Sequence, residues 1–303
     1  MSETQKHDAR LDPRAVIVIS SHVARGAVGN RAAVFALETL GHPVWAVPTV
    51  VLPWHPGHGV ATRITPDPEQ FAALMRDIET APWLGEVGAV LSGYMGEPSQ
   101  ADAVAGVVQA VRKANPQALY VCDPVMGDSG GLYVKEAVAE VIRDQLMPLA
   151  DIATPNRYEL AWMSGQAIDG QALDDLKQTI DAAANAGPAT MLVTSAPAMM
   201  KRFTGNLLVS GGQAWLAEHR IIDNPPNGLG DLTGALFLAR LMAGHSMDKA
   251  LQSTTAAVFE ILARTAKRGG DELQLQTDAQ SLSHPMAMVQ MRQLAISGRD
   301  RRA

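Results

Sequence analysis

Short apolar runs alternate with longer amphipathic stretches along most of this chain. Ala15 to Ser20 is almost wholly apolar, the pattern of a strand buried on both faces. A loop punctuated by Gly26 and Gly29 follows, and Asn30 to Leu40 reads as a helix closed by Gly41-His42-Pro43. The same logic predicts strands at 44–47, 87–91, 118–122, 151–153 and 190–193. Helices are predicted at 68–78, opened by Asp67-Pro68-Glu69, and at 99–114, 134–146, 156–163, 173–186, 232–241 and 247–266. Stretches 207–209, 213–216 and 219–222, with Gly211-Gly212 among them, read as antiparallel strands. Residues 48–66, rich in proline and glycine, are predicted to form no regular element, and a loop that long is usually functional.

Apolar strands interleaved with amphipathic helices predict a mostly parallel sheet covered by helices on both faces, with a few antiparallel edge strands. Neither a linker nor an internal repeat breaks the pattern, so one domain is expected over 14–285. A flexible polar leader over 1–13 and a C-terminal helix or tail over 286–303 would flank it. Composition narrows the class. Of 303 residues, 47% are hydrophobic and 18% charged, which suits a large core, and the net charge of −6 argues against nucleic-acid or anionic-membrane partners. The single cysteine, Cys122, excludes an intrachain disulfide framework and fits a reducing compartment. The polar N-terminus lacks a signal-peptide pattern, and a cytoplasmic location is expected.

Ligands of open parallel sheets bind beyond the carboxyl ends of the strands. Those ends here carry Ser20-Ser21-His22, Thr49, Ser92-Gly93-Tyr94, Asp123 to Asp128, Thr154-Pro155-Asn156 and Thr194-Ser195. Asn227-Gly228-Leu229-Gly230-Asp231 then runs into an apolar helix. Glycines permit tight turns, and the first helical amides are free donors, so this stretch reads either as a turn with a cap or as an anion pocket. A carboxylate beside a bound phosphate makes sense if it handles a proton from the attacking group. Asp123 and Asp128 are either turn formers or oxygen ligands for Mg2+. Asn156 and Glu159, one helical turn apart, are either a cap pair or part of a site. Cys122 reads as a buried, inert thiol. The Walker phosphate-binding loop and the full dinucleotide-binding glycine pattern are both absent.

These segments, in order, resemble the pyridoxal kinases of the ribokinase-like superfamily. The match lies in Ser21-His22-Val23 to Gly26-Ala27-Val28-Gly29-Asn30-Arg31-Ala32-Ala33, in Leu91-Ser92-Gly93-Tyr94 and in Val121-Cys122-Asp123-Pro124-Val125-Met126-Gly127-Asp128. It continues in Thr154-Pro155-Asn156 with Glu159 and in Gly228, Gly230 and Asp231. The resemblance implies an α/β/α sandwich that transfers the γ-phosphate of ATP to the 5′-hydroxymethyl group of pyridoxal. By position it implies Asp231 as the base, with Gly228 and Gly230 stabilising the transferred phosphoryl group. Ser21, Thr49, His55 and Tyr94 would bind the vitamin. Asp123, Asn156, Glu159, Tyr133, Thr154, Thr194, Ser195 and Leu229 would line the ATP side, with Asp123, Asp128 and Glu159 around Mg2+. Similar enzymes are homodimers and often need K+ as well as Mg2+. A hydroxymethylpyrimidine-type kinase and a non-catalytic vitamin B6 binder are the alternatives. Where relatives read Val-Gln-Phe-Ser-Asn-His-Thr, this chain has Val50-Val51-Leu52-Pro53-Trp54-His55-Pro56, a change that bears on which vitamer fits.

Overall fold

A computed structural model describes residues 14–165 and 175–296. Its strands are β1 (Ala15–Val23), β2 (Val44–Leu52), β3 (Val87–Ser92), β4 (Leu119–Cys122), β5 (Gly127–Asp128), β6 (Gly131–Leu132), β7 (Ile152–Ala153), β8 (Thr190–Pro197), β9 (Phe203–Ser210), β10 (Gln213–Arg220) and β11 (Gln290–Leu294). Its helices are α1 (Asn30–Thr39), α2 (Pro68–Glu79), α3 (Gln100–Ala114), α4 (Glu136–Val141), α5 (Arg157–Met163), α6 (Leu176–Ala183), α7 (Leu229–Met242), α8 (Met247–Lys267) and α9 (Ala279–Ser283).

All strands except the small β5–β6 hairpin join one sheet in the order β11-β10-β9-β8-β7-β4-β3-β1-β2. The strands from β2 to β8 in that row run parallel, whereas β9, β10 and β11 are antiparallel. Side-chain alternation in β1 divides the interior into two layers. Ile17 and Ile19 pack with Phe71, Val107, Leu160 and Ile180 of α2, α3, α5 and α6. Val16 and Val18 face Leu37, Leu236, Ile261 and Leu282 of α1, α7, α8 and α9. The predicted sandwich is therefore the observed one, and every parallel strand points its carboxyl end toward the same rim.

Four expectations change. Residues 48–52 belong to β2 rather than to a loop. Pro48 is tolerated because β2 is an edge strand, where a missing amide costs no ladder bond. A slip between Ser20 and His22 in the β1–β2 register lets the strand run on to Leu52. The predicted helix at 134–146 stops at Val141 and continues as a wider π turn and a 3-10 turn around Pro148, which has no amide to extend a regular helix. Residues 219–220 end β10 instead of opening a further strand. The expected C-terminal helix or tail over 286–303 contains, at Gln290–Leu294, an edge strand on β10, held by Arg292 donating to the buried Glu218 at 2.6 Å. The leader at 1–13, the first residues of the helix expected from 173, and 297–303 lie outside the described residues.

Candidate active site

Helix α7 starts at the sheet's carboxyl rim. Gly228, its N-cap, has φ +91°, and a side-chain carbon there would run into the carbonyl oxygen of Ala27. Only glycine reconciles that left-handed backbone with so close a neighbour. Gly29 meets the same condition, at φ +54° and against Ser21, so the β1–α1 loop and the α7 turn are mutually seated. Gly230 has open space around its α-carbon, which leaves room for a ligand to reach the free amides of the first turn. Leu229 packs its side chain on the core, so its share of this turn is its backbone.

Asp231 is half-buried at the third position of α7. Burial raises its carboxyl to about 6, opposed by the amides of Gly29 and of Asp231 itself. Asp123 follows β4, and Gly234 of α7 leaves space for it: a side-chain carbon there would lie 4.0 Å from an Asp123 carboxylate oxygen and 3.5 Å from the Thr154 hydroxyl. Burial, then Glu159, then Asp231 push Asp123 well above the usual carboxylate range, with the Thr154 hydroxyl opposing. Asp123 thus sits within the field of Glu159 and Asp231, and no cation figures among the influences on it. Such a set of hard oxygen donors suits a divalent cation.

Asn156 and Glu159 turn out to be a complete capping box that also shapes the 123–128 loop. The Asn156 side-chain oxygen accepts from the amides of Tyr158 and Glu159, each at 2.9 Å, while its Nδ2 donates to the Gly127 carbonyl at 2.8 Å. Glu159 accepts from the amides of Asn156 at 2.8 Å, Met126 at 2.9 Å and Gly127 at 3.4 Å. Burial nevertheless pushes Glu159 up to about 8. Asp128 is exposed on the β5–β6 hairpin and accepts from the Gly130 amide at 2.7 Å. A ready-made metal cage from Asp123, Asp128 and Glu159 is therefore not formed: among the described residues no three His, Cys, Asp or Glu side chains gather closely enough to hold an ion. The Glu159 oxygens are already committed to backbone amides.

On the other side of Asp231 lie β1, β2 and β3. The Thr49 hydroxyl donates to the Tyr94 carbonyl at 2.6 Å, and the Tyr94 amide donates to Ser20 Oγ at 3.1 Å. Ser21 is buried against Gly29. His55 caps the short Pro56–His58 turn, its Nδ1 accepting from the Gly57 amide at 3.1 Å. Burial lowers the His55 pKa. Trp54 donates its indole N–H to the Gly59 carbonyl at 3.2 Å and so braces the loop's own turn. On the opposite flank, Thr194 and Ser195 occupy an irregularity in β8, where Ser195 takes φ +52° and the Thr194 amide donates to the Pro155 carbonyl. Tyr133 stands half-exposed beside the hairpin. Cys122 is fully buried, and burial pushes its thiol up to about 12, as expected of an inert cysteine.

Several residues that hold this arrangement escaped the sequence reading. Buried Gln100 donates to the Thr49 carbonyl at 2.9 Å and accepts from the Gly96 amide at 2.8 Å. Asn30 joins the Ser20 and Val47 carbonyls, each at 3.1 Å. Arg63 donates to the Tyr94 hydroxyl at 2.7 Å. Each bridges segments far apart in sequence, which no local pattern encodes. Only Asn30 carried a signal, as the polar start of an otherwise apolar helix.

A family model described as phosphomethylpyrimidine kinase matches residues 64–276. Pyridoxal kinase PdxY of Rubrobacter xylanophilus is 38% identical over 92% of this chain and 97% of its own length. The protein of the same name from Deinococcus radiodurans is 39% identical, over 87% of this chain and 91% of its own. Among solved structures, the pyridoxal kinase of Leishmania donovani in complex with ADP and pyridoxamine superposes with a TM-score of 0.85. It is 30% identical, over 93% of this chain and 99% of that one.

Proposed function

The chain belongs to the phosphomethylpyrimidine kinase family and, with its relatives, to the pyridoxal kinases; from that premise we propose which of its residues carry out the reaction. The protein is an ATP-dependent pyridoxal kinase, which converts pyridoxal and ATP to pyridoxal 5′-phosphate and ADP. Transfer of this kind needs a free hydroxyl in line with the γ-phosphate, stabilisation of charge on the transferred group and a place for one proton. The observation that carries the assignment is Asp231: a carboxylate with a raised pKa inside the first turn of a helix whose amides are free for an anion.

Asp231 takes the proton of the 5′-hydroxymethyl group as its oxygen attacks. The amides from Gly228 to Gly230 face the charge that builds on the phosphoryl oxygens. Ser21, Thr49, His55 and Tyr94 hold the pyridine ring, with Thr49 acting largely through its bond to the Tyr94 carbonyl. Thr154, Tyr133, Thr194 and Ser195 line the nucleotide side. Asp123 is the carboxylate that would hold Mg2+ together with the phosphates, while Glu159 shapes the adjoining 123–128 loop and Asp128 stands on the hairpin beside it. A divalent cation held there would supply positive charge against the phosphates of ATP. Asn156 keeps the 123–128 loop in place for that role. K+ as a further activating ion and a homodimeric assembly follow the family resemblance. A cytoplasmic setting is supported by the single free, buried cysteine. No helix among the described residues is long and apolar enough to cross a membrane.

Substrate preference is tested by offering pyridoxal, pyridoxine, pyridoxamine and hydroxymethylpyrimidine with Mg·ATP and following ADP release. The highest kcat/KM is expected with pyridoxal. A maximum with hydroxymethylpyrimidine would overturn the vitamin-side assignment, and no ADP above the substrate-free background would overturn the catalytic one.

A further inference from the structure

We propose that Glu272 is a positioning residue that latches the 53–59 flap to the loop on which the α7 turn is seated. Three groups from two segments converge on its carboxylate, and only 12% of the side chain is exposed. His58 of the flap meets Oε1 at 2.7 Å. The Ala27 amide donates to Oε2 at 3.3 Å, and Arg25 approaches Oε1 at 3.7 Å. A carboxylate only accepts, so His58 Nε2 carries the proton of this bond. Neighbouring Asp271 engages Arg25 at 2.7 Å and leaves Glu272 to the other two. Gly26 is needed for the approach, since a side-chain carbon there would lie 2.6 Å from Glu272 Oε1.

The consequence reaches both substrates through different atoms. Ala27, whose amide Glu272 holds, presses its carbonyl against Gly228, so Glu272 sets the loop that seats the anion turn. The flap is pinned at its base by the Pro53 carbonyl, which accepts from the Arg25 amide at 2.8 Å, and by the Val51–Ile64 pairing. Among the described residues, its tip has no comparable tie except His58 to Glu272. His55 lies between base and tip, bonded to the Gly57 amide, and a side-chain carbon on Gly57 would lie 3.4 Å from Asn227 of the α7 approach, so His55 moves with the latch. The inference rests on the assignment of His55 and Thr49 to the vitamin side.

The test compares His58→Phe, Glu272→Ala and the double variant in steady-state kinetics with pyridoxal and Mg·ATP. Loss of a hydrogen bond to a charged group should raise the KM for pyridoxal about tenfold in His58→Phe, with kcat and the KM for ATP near wild type. Glu272→Ala should raise that KM equally and also lower kcat, because the Ala27 amide and with it the Gly228 turn lose their anchor. The double variant should match Glu272→Ala in KM, since one latch cannot be lost twice. Surface-exposed His58 makes its variant a folding-safe probe. An unchanged KM for pyridoxal in His58→Phe, or additive effects in the double variant, would overturn the latch. Non-additive effects on the KM for ATP instead would keep the latch and overturn the assignment of sides.

Discussion

Asp231→Asn is expected to lower kcat for pyridoxal by roughly 10²- to 10⁴-fold, the range for losing a positioned general base. The affinity for ATP should stay within a few-fold of wild type, because the amides at the start of α7 remain. Asparagine keeps the size and most hydrogen bonds of the side chain and removes only the capacity to take a proton. Folding should be unharmed. The Asp231 carboxyl is raised to about 6, so above that pH the folded protein carries a charge that its surroundings disfavour. A neutral amide there should hold the thermal midpoint or raise it at neutral pH. Isothermal titration with ATP, a thermal melt and steady-state turnover together separate this outcome from simple misfolding.

Gly228→Ala should be almost as damaging by a different route. Its left-handed backbone is unfavourable for alanine by about 1 kcal/mol, and the added methyl runs into the Ala27 carbonyl. The turn must move, and with it the amides that face the phosphoryl group. Loss of preorganised donors of this type costs roughly 10²- to 10³-fold in kcat. Unlike the aspartate variant, this one should weaken ATP binding and lower the thermal midpoint as well. Rapid-quench turnover with a parallel melt would register both effects. A variant with normal turnover would mean that the Gly228 turn has no part in transfer.

Most of the fold was legible because its parallel strands are short apolar runs and their helices carry clear stripes. What misled was local chemistry overruled by distant partners. Pro48 looked like a breaker until β2 proved to be an edge strand. Gln290–Leu294, short and largely polar, becomes a strand only because β10 is there to pair with it and Glu218 to receive Arg292.

For the site, the glycine-acid turn was readable because backbone geometry forces glycine, and a carboxylate at a helix start is chemically conspicuous. Asn156 and Glu159 illustrate the opposite case: the capping pattern was visible, yet its second task of shaping the 123–128 loop needed the fold. Gln100 and Glu272 act across 51 and 245 positions of sequence and left no local trace.

The claim on which the rest depends is that the Asp231 carboxylate receives the alcohol proton during transfer. Its most direct test is the pH dependence of single-turnover phosphoryl transfer to pyridoxal, in wild type and Asp231→Asn under identical Mg·ATP saturation. Only the unprotonated acid can accept, so the wild-type rate should fall as pH drops through about 6, and the small residual rate of the variant should be flat across the same range. An acid limb of the same midpoint in both proteins would contradict the assignment.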